Sequence, residues 1–229
     1  MDTQTNDPVL QQMQALISHW QAEQDQRAVF LTCYRMMTAN MLTALETDEF
    51  QDRRWVKLLL HHFAGYYFRA LEAYDTQVDT APPVWQLAHH SALEARSGAL
   101  QQLLLGVNAH INYDLVLTVE ELLAPEWDML TDTQRAARYQ DYTRVNQIIA
   151  ATIDAVQDQI LEPDAPILDL FDRLLGRVDE RLISALITSW REHVWRSALE
   201  LLAESRPPRR AEIVRRVETE ALRLAALID

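Results

Sequence analysis

Eight prolines, at positions 8, 82, 83, 125, 163, 166, 207 and 208, punctuate a chain that contains only four glycines. Proline lacks a backbone N–H and holds φ fixed, so it interrupts a helix from within but suits a helix's first turn. The prolines therefore mark where helices start and stop. The glycines, Gly65, Gly98, Gly106 and Gly176, never follow Asn or Asp, so the strongest short-range hairpin signal is missing. An all-α fold is the expectation. Helices are predicted at about 8–24, 27–46, 51–75, 83–120, 131–161, 166–204 and 208–228, with a break in the fourth near Gly98 and one in the sixth near Gly176.

The periodicity within these segments indicates how they pack. Phe30, Tyr34, Met37 and Met41 recur at spacings of four, three and four, which makes one buried stripe on the second helix. The third is apolar on nearly every side between Trp55 and Tyr74, as suits a helix surrounded by others. No repeat, low-complexity tract or long linker divides the 229 residues, and 48% hydrophobic content is enough for one sizeable core. The expected architecture is a single-domain multi-helix bundle, residues 1–229, around a central, mostly apolar helix. The last helix, about 208–228, carries Ile213, Val217, Leu222 and Leu224 among charged residues. It is expected to pack on its own domain or on a second copy of the chain, as a homodimer would have it.

A formal net charge of −13 opposes attraction to nucleic acid and to anionic lipid. No apolar run reaches the length needed to cross a bilayer, and the first residues lack the charge and apolar centre of a signal peptide. Partners other than nucleic acid and membrane, and residence in the cytoplasm, are the expectations. Cys33 is the single cysteine, so any metal site would have to be built from His, Asp and Glu.

One apolar segment departs from the pattern. In "LLLGVNAHINYDLVLTV", residues 103–119, Asn108, His110, Asn112 and Asp114 occupy alternate positions. At 100° per residue, His110 and Asp114 share one side of the helix with Leu103, Gly106 and Leu117, and Asn108 and Asn112 share the opposite side. Because both sides are otherwise apolar, each of these polar groups needs a partner. The two asparagines suit contacts to helix-end or loop carbonyls. His110 and Asp114, one turn apart, can pair directly or turn together toward a third group, and Gly106 leaves room beside the imidazole.

Three readings of that pair stay open. It is a structural buried contact, or two ligands of a divalent metal (zinc, iron or manganese) held inside the bundle, or a histidine base with its orienting carboxylate. His62 is the further candidate metal ligand, and His61, His90 with Glu94, and His193 are weaker ones. If the pair acts, the expected function is metal-assisted hydrolysis or related chemistry on a small, partly apolar molecule in a cleft within the bundle, with His110 and Asp114 catalytic. Asn108, Asn112, Tyr66, Tyr67, Trp85 and Trp195 would line that cleft. The alternative is a non-catalytic binding protein for an apolar metabolite or a partner helix.

The segment "LLLGVNAHINYDL", with "FLTCYRMMT", "WVKLLLHHFAGYYFRALEAY" and "PPVWQLA" upstream, resembles a bacterial family of helical proteins marked by a G-x-N-A-H-I-N-x-D-L signature, a domain of unknown function. The likeness runs from about Arg27 to about Leu117 and extends more loosely to Arg191 and Trp195. It implies an all-helical fold, with Gly106, Asn108, His110, Asn112 and Asp114 at the family's defining positions. It implies no reaction. The His-x-x-x-Asp spacing is also similar to that of all-helical zinc phospholipases C and single-strand nucleases, but no histidine follows His110 before His193.

Overall fold

The computed structural model describes residues 7–94, 98–158 and 180–228. Among these residues there are helices and short connections and no strand. The helices are α1 (Pro8–Ala22), α2 (Arg27–Glu46), α3 (Arg53–Thr76), α4 (Pro83–Glu94), α5 (Ala99–Ala109), α6 (Leu115–Leu123), α7 (Asp132–Asp158), α8 (Glu180–Ala203) and α9 (Pro207–Ile228). A single π turn, His110–Asp114, joins α5 to α6 without a loop, so the two run on as one element. The break expected near Gly98 is present, with Gly98 in an extended conformation as the N-cap of α5. The one expected near Gly176 lies outside the described residues.

Helix starts are fixed by short-range chemistry. Asp7 precedes Pro8 and accepts a hydrogen bond from the Val9 N–H (3.0 Å), so a carboxylate and a proline together open α1. Asp52 does the same for α3, accepting from the Trp55 N–H at 2.9 Å. The turn just before α3 is held from a distance as well. Buried Asp141, on α7, accepts from the Gln51 and Asp52 N–H groups, both at 2.8 Å, and so pins α7 to the start of α3.

The element α5–π–α6 is the centre of the bundle. It buries residues on nearly all sides, including Leu105, Ala109, Leu115 and Val119, and packs against α2, α3, α4, α8 and α9. α3 is less enclosed than its composition suggests. One of its faces, carrying Leu58, His62 and Arg69, points outward, and Leu58 is 41% exposed. A helix rich in apolar residues thus still keeps an outer stripe.

α9 lies against α4, α5, the π turn and α8. Its buried residues are Ile213, Val217, Ala221 and Ala225, spaced by four, whereas Leu222 and Leu224 are only partly covered. The small alanines let the backbones approach closely, and the Asn108 side-chain N–H₂ donates to the Ala221 carbonyl at 2.9 Å. No described helix is long and apolar enough to cross a membrane.

Candidate ligand-binding cavity

His110 and Asp114 occupy the first and last positions of the π turn. There the Leu115 N–H bonds to the His110 carbonyl five residues back instead of four. Such single wide turns inside α-helices are rare and recur at functional sites. The Asp114 carbonyl is also served by the Thr118 hydroxyl, which donates to it at 2.8 Å.

The two side chains are fully buried and meet. His110 Nδ1 lies 2.9 Å from Asp114 Oδ2, and the Trp85 indole N–H donates to the same oxygen at 2.9 Å. Around the imidazole stand aromatic rings. Phe63 stacks on it with centroids 3.5 Å apart and planes 7° from parallel, Tyr34 meets it edge-on at 4.4 Å, and Phe30, Trp85 and Tyr67 stand at about 6 Å.

Burial in this apolar shell decides the protonation of the pair. It pushes the Asp114 carboxyl well above the usual carboxylate range, with the indole hydrogen bond opposing the shift in part, and it pushes the His110 imidazole well below its ordinary value. Both shifts favour the uncharged forms of the two groups. A carboxyl O–H on Oδ2 can donate to Nδ1 while the same oxygen accepts from the indole, which assigns the imidazole N–H to Nε2. Nε2 is buried and has no hydrogen-bond partner, and neither has the nearby Tyr34 hydroxyl.

His110 and Tyr34 belong to the wall of a cavity of about 180 Å³, and Asp114 stands outside its lining. Phe30, Tyr34, Met37 and Met41 of α2 form one side, so the stripe expected to be buried does belong to the core and also walls the cavity. Phe63 of α3, Val107 of α5, Ile149 of α7 and Ile187 of α8 contribute to the others. The lining is almost wholly apolar. Cys33 lies in it too, and burial pushes its thiol up to about 12, so at neutral pH it behaves as a small apolar group.

The remaining candidate residues are placed elsewhere. Asn108 and Asn112 are buried on the other side of the element and serve structure: the Asn112 side-chain N–H₂ donates to Asn108 Oδ1 at 2.9 Å, and Asn108 reaches α9. Tyr67 and Trp85 stand behind the imidazole and outside the cavity lining. Tyr66 is half-buried with its hydroxyl donating to Glu121 (3.0 Å), and Trp195 packs with Tyr142 and Tyr139. His62 is exposed on α3. The weaker candidate ligands make ion pairs of their own, His61 with Asp7, His90 with Glu94 and His193 with Glu220. Among the described residues no group of three or more His, Cys, Asp or Glu side chains gathers where it could hold a metal ion.

His89, on α4, adds a pH-dependent element beside the site. Its ring stacks on Trp85, its Nε2 has no partner, and burial lowers its pKa to about 3. The unfolded chain binds this proton near pH 6.5 and the folded chain does not, so the folded state loses stability as pH falls from about 6.5 toward 3. Thermal melts across that range should show a steeper decline for the wild-type protein than for His89→Phe, which keeps the stack and cannot titrate. Parallel declines would mean that His89 is charged in the folded state.

No curated protein and no solved structure matches the chain. A family model matches residues 6–229, nearly the whole length, and covers both the helical frame and the π turn with its pair. On that match the chain belongs to DUF5995, a family of unknown function.

Proposed function

We propose that this protein binds a small, predominantly apolar molecule in the cavity between α2, α3, the α5–π–α6 element, α7 and α8. The observation that carries the reading is the cavity itself. A volume of about 180 Å³ walled by apolar side chains inside a bundle exceeds the roughly 150 Å³ of an engineered apolar cavity that admits benzene. Three methionines in the wall, Met36, Met37 and Met41, can adjust to more than one shape of occupant. His110 sits in the wall, held from outside the lining by Asp114, which is itself tied to Trp85, and through Nε2 the imidazole offers a donor to a polar atom of the occupant.

The reading is tested by filling the space. Ile149→Phe adds volume from α7 into the cavity, and the variant should keep or raise its melting temperature while losing its response to ligands. Benzene, toluene and 1-octanol should raise the wild-type melting temperature, because a ligand that binds only the folded state adds stability, about 2.7 kcal/mol at a hundredfold excess over its dissociation constant. If none of these compounds shifts the wild-type melt, or if Ile149→Phe responds equally, the cavity is not a binding site.

A further inference from the structure

Arg191 also lines this cavity, at the end of the α8 stripe formed with Ile183 and Ile187. Only 4% of it is exposed, yet no carboxylate pairs with it among the described residues. Its Nε–H donates to Asn146 Oδ1 (2.6 Å), an Nη2–H donates to the Tyr142 carbonyl (2.7 Å), and the guanidinium stacks over the Tyr142 ring at 4.3 Å. All of these partners are neutral. The nearest acidic residue in sequence, Glu192, is bonded by the Tyr139 hydroxyl and acts on Arg191 through space without forming an ion pair with it. Burial lowers the Arg191 pKa, but from a value so high that the group stays charged at neutral pH.

A desolvated cation without a counter-charge is costly, and buried charges are as a rule paired. The guanidinium has five N–H donors in a planar fork suited to a carboxylate, and only two make hydrogen bonds to the protein. Among the described residues the rest of the lining contains no Asp or Glu, and two further polar groups in it without a hydrogen bond, His110 Nε2 and the Tyr34 hydroxyl, can donate to an anion. In a chain with a net charge of −13, a cavity whose described lining holds one arginine and no acidic residue stands apart.

Resting on the binding reading above, we propose that the occupant is an amphipathic anion. Its carboxylate pairs with Arg191 and its short alkyl or aryl-alkyl tail fills the apolar space toward Phe63 and His110.

Isothermal titration of the full chain with octanoate and with 1-octanol at physiological salt tests this. Octanoate should bind at least tenfold more tightly than octanol. In Arg191→Gln the preference should disappear while octanol binding remains. Because loss of a buried guanidinium can impair folding, Asn146→Asp serves as the second variant. It places a carboxylate where Arg191 already donates, so it should raise the melting temperature and reduce octanoate binding to the octanol level. Equal affinity of the wild-type protein for the two compounds, or a preference that survives in either variant, overturns the anion assignment and leaves the cavity reading intact. Binding of neither compound overturns the cavity reading itself.

Discussion

Asp114→Ala is expected to lower the unfolding free energy by about 3–5 kcal/mol, because it leaves two buried polar groups unsatisfied at roughly 1–3 kcal/mol each and opens a small void. The reason lies in the convergence on a single oxygen. Oδ2 of Asp114 meets both His110 Nδ1 and the Trp85 indole N–H, each at 2.9 Å, in a site that water does not reach. Alanine strands an indole donor and an imidazole nitrogen together and leaves a void the size of the carboxyl group. Asp114→Asn should cost less, about 1–3 kcal/mol, because an amide oxygen accepts from Trp85 but cannot also donate to Nδ1 as a carboxyl O–H does. Denaturant unfolding of the two variants checks the order. Equal losses would mean that the pair is ionic, since Asn and Ala alike would leave a buried imidazolium without its counter-charge.

Gly106→Ala should destabilise the fold by roughly 1–3 kcal/mol, although alanine is the better helix former by about 0.5–1 kcal/mol. A Cβ at this position would lie 2.5 Å from Cγ and Cδ2 of Phe30 and 2.9 Å from its Cβ. Phe30 has little freedom to retreat, since its ring packs among Tyr34, Tyr67, Trp85 and His110. The glycine is therefore required for the closeness of α2 to α5, and its substitution should also loosen the cavity wall. Gly98→Ala is the matching control. Nothing lies within 4 Å of a Cβ there, so only the change of N-cap residue counts, and its destabilisation should be well below that of Gly106→Ala. A Gly106→Ala protein as stable as wild type would show that α2 and α5 can separate freely.

Prolines and periodicity made the helical frame legible, because Pro8, Pro83 and Pro207 stand at the first position of the helices they open. The pairing of His110 with Asp114 was legible too, since i, i+4 neighbours face one another on any helical turn. The width of that turn was not. Assigning faces at a fixed 100° per residue presupposes an α-helix, and nothing in "HINYD" marks the extra residue. The cavity was equally hidden, since a stripe such as Phe30, Tyr34, Met37 and Met41 is apolar whether another side chain or a ligand lies against it. Its three neighbouring methionines, Met36, Met37 and Met41, were the one available hint. Arg191 could not be identified as a buried cation from sequence. That depends on where Tyr142 and Asn146 of α7 come to rest against α8.

The π turn also acts as a phase shifter between the two halves of one long helix. Because it takes five residues to close the turn that α-helix closes in four, everything after it is rotated by about one residue, roughly 100°, from where a continuous α-helix would carry it. α5 presents Asn108 to α9 while α6 buries Val116, Val119 and Leu123 against α3 and α8, and those two orientations fit together only at this offset. Losing a single residue between 110 and 114 would let the helix run straight. It would leave Leu115–Leu123 facing the same neighbours, because the residue removed is the extra one, and would destroy the spacing that brings His110 to Asp114. The wide turn thus absorbs one extra residue at the polar pair while the second half of the helix keeps its packing.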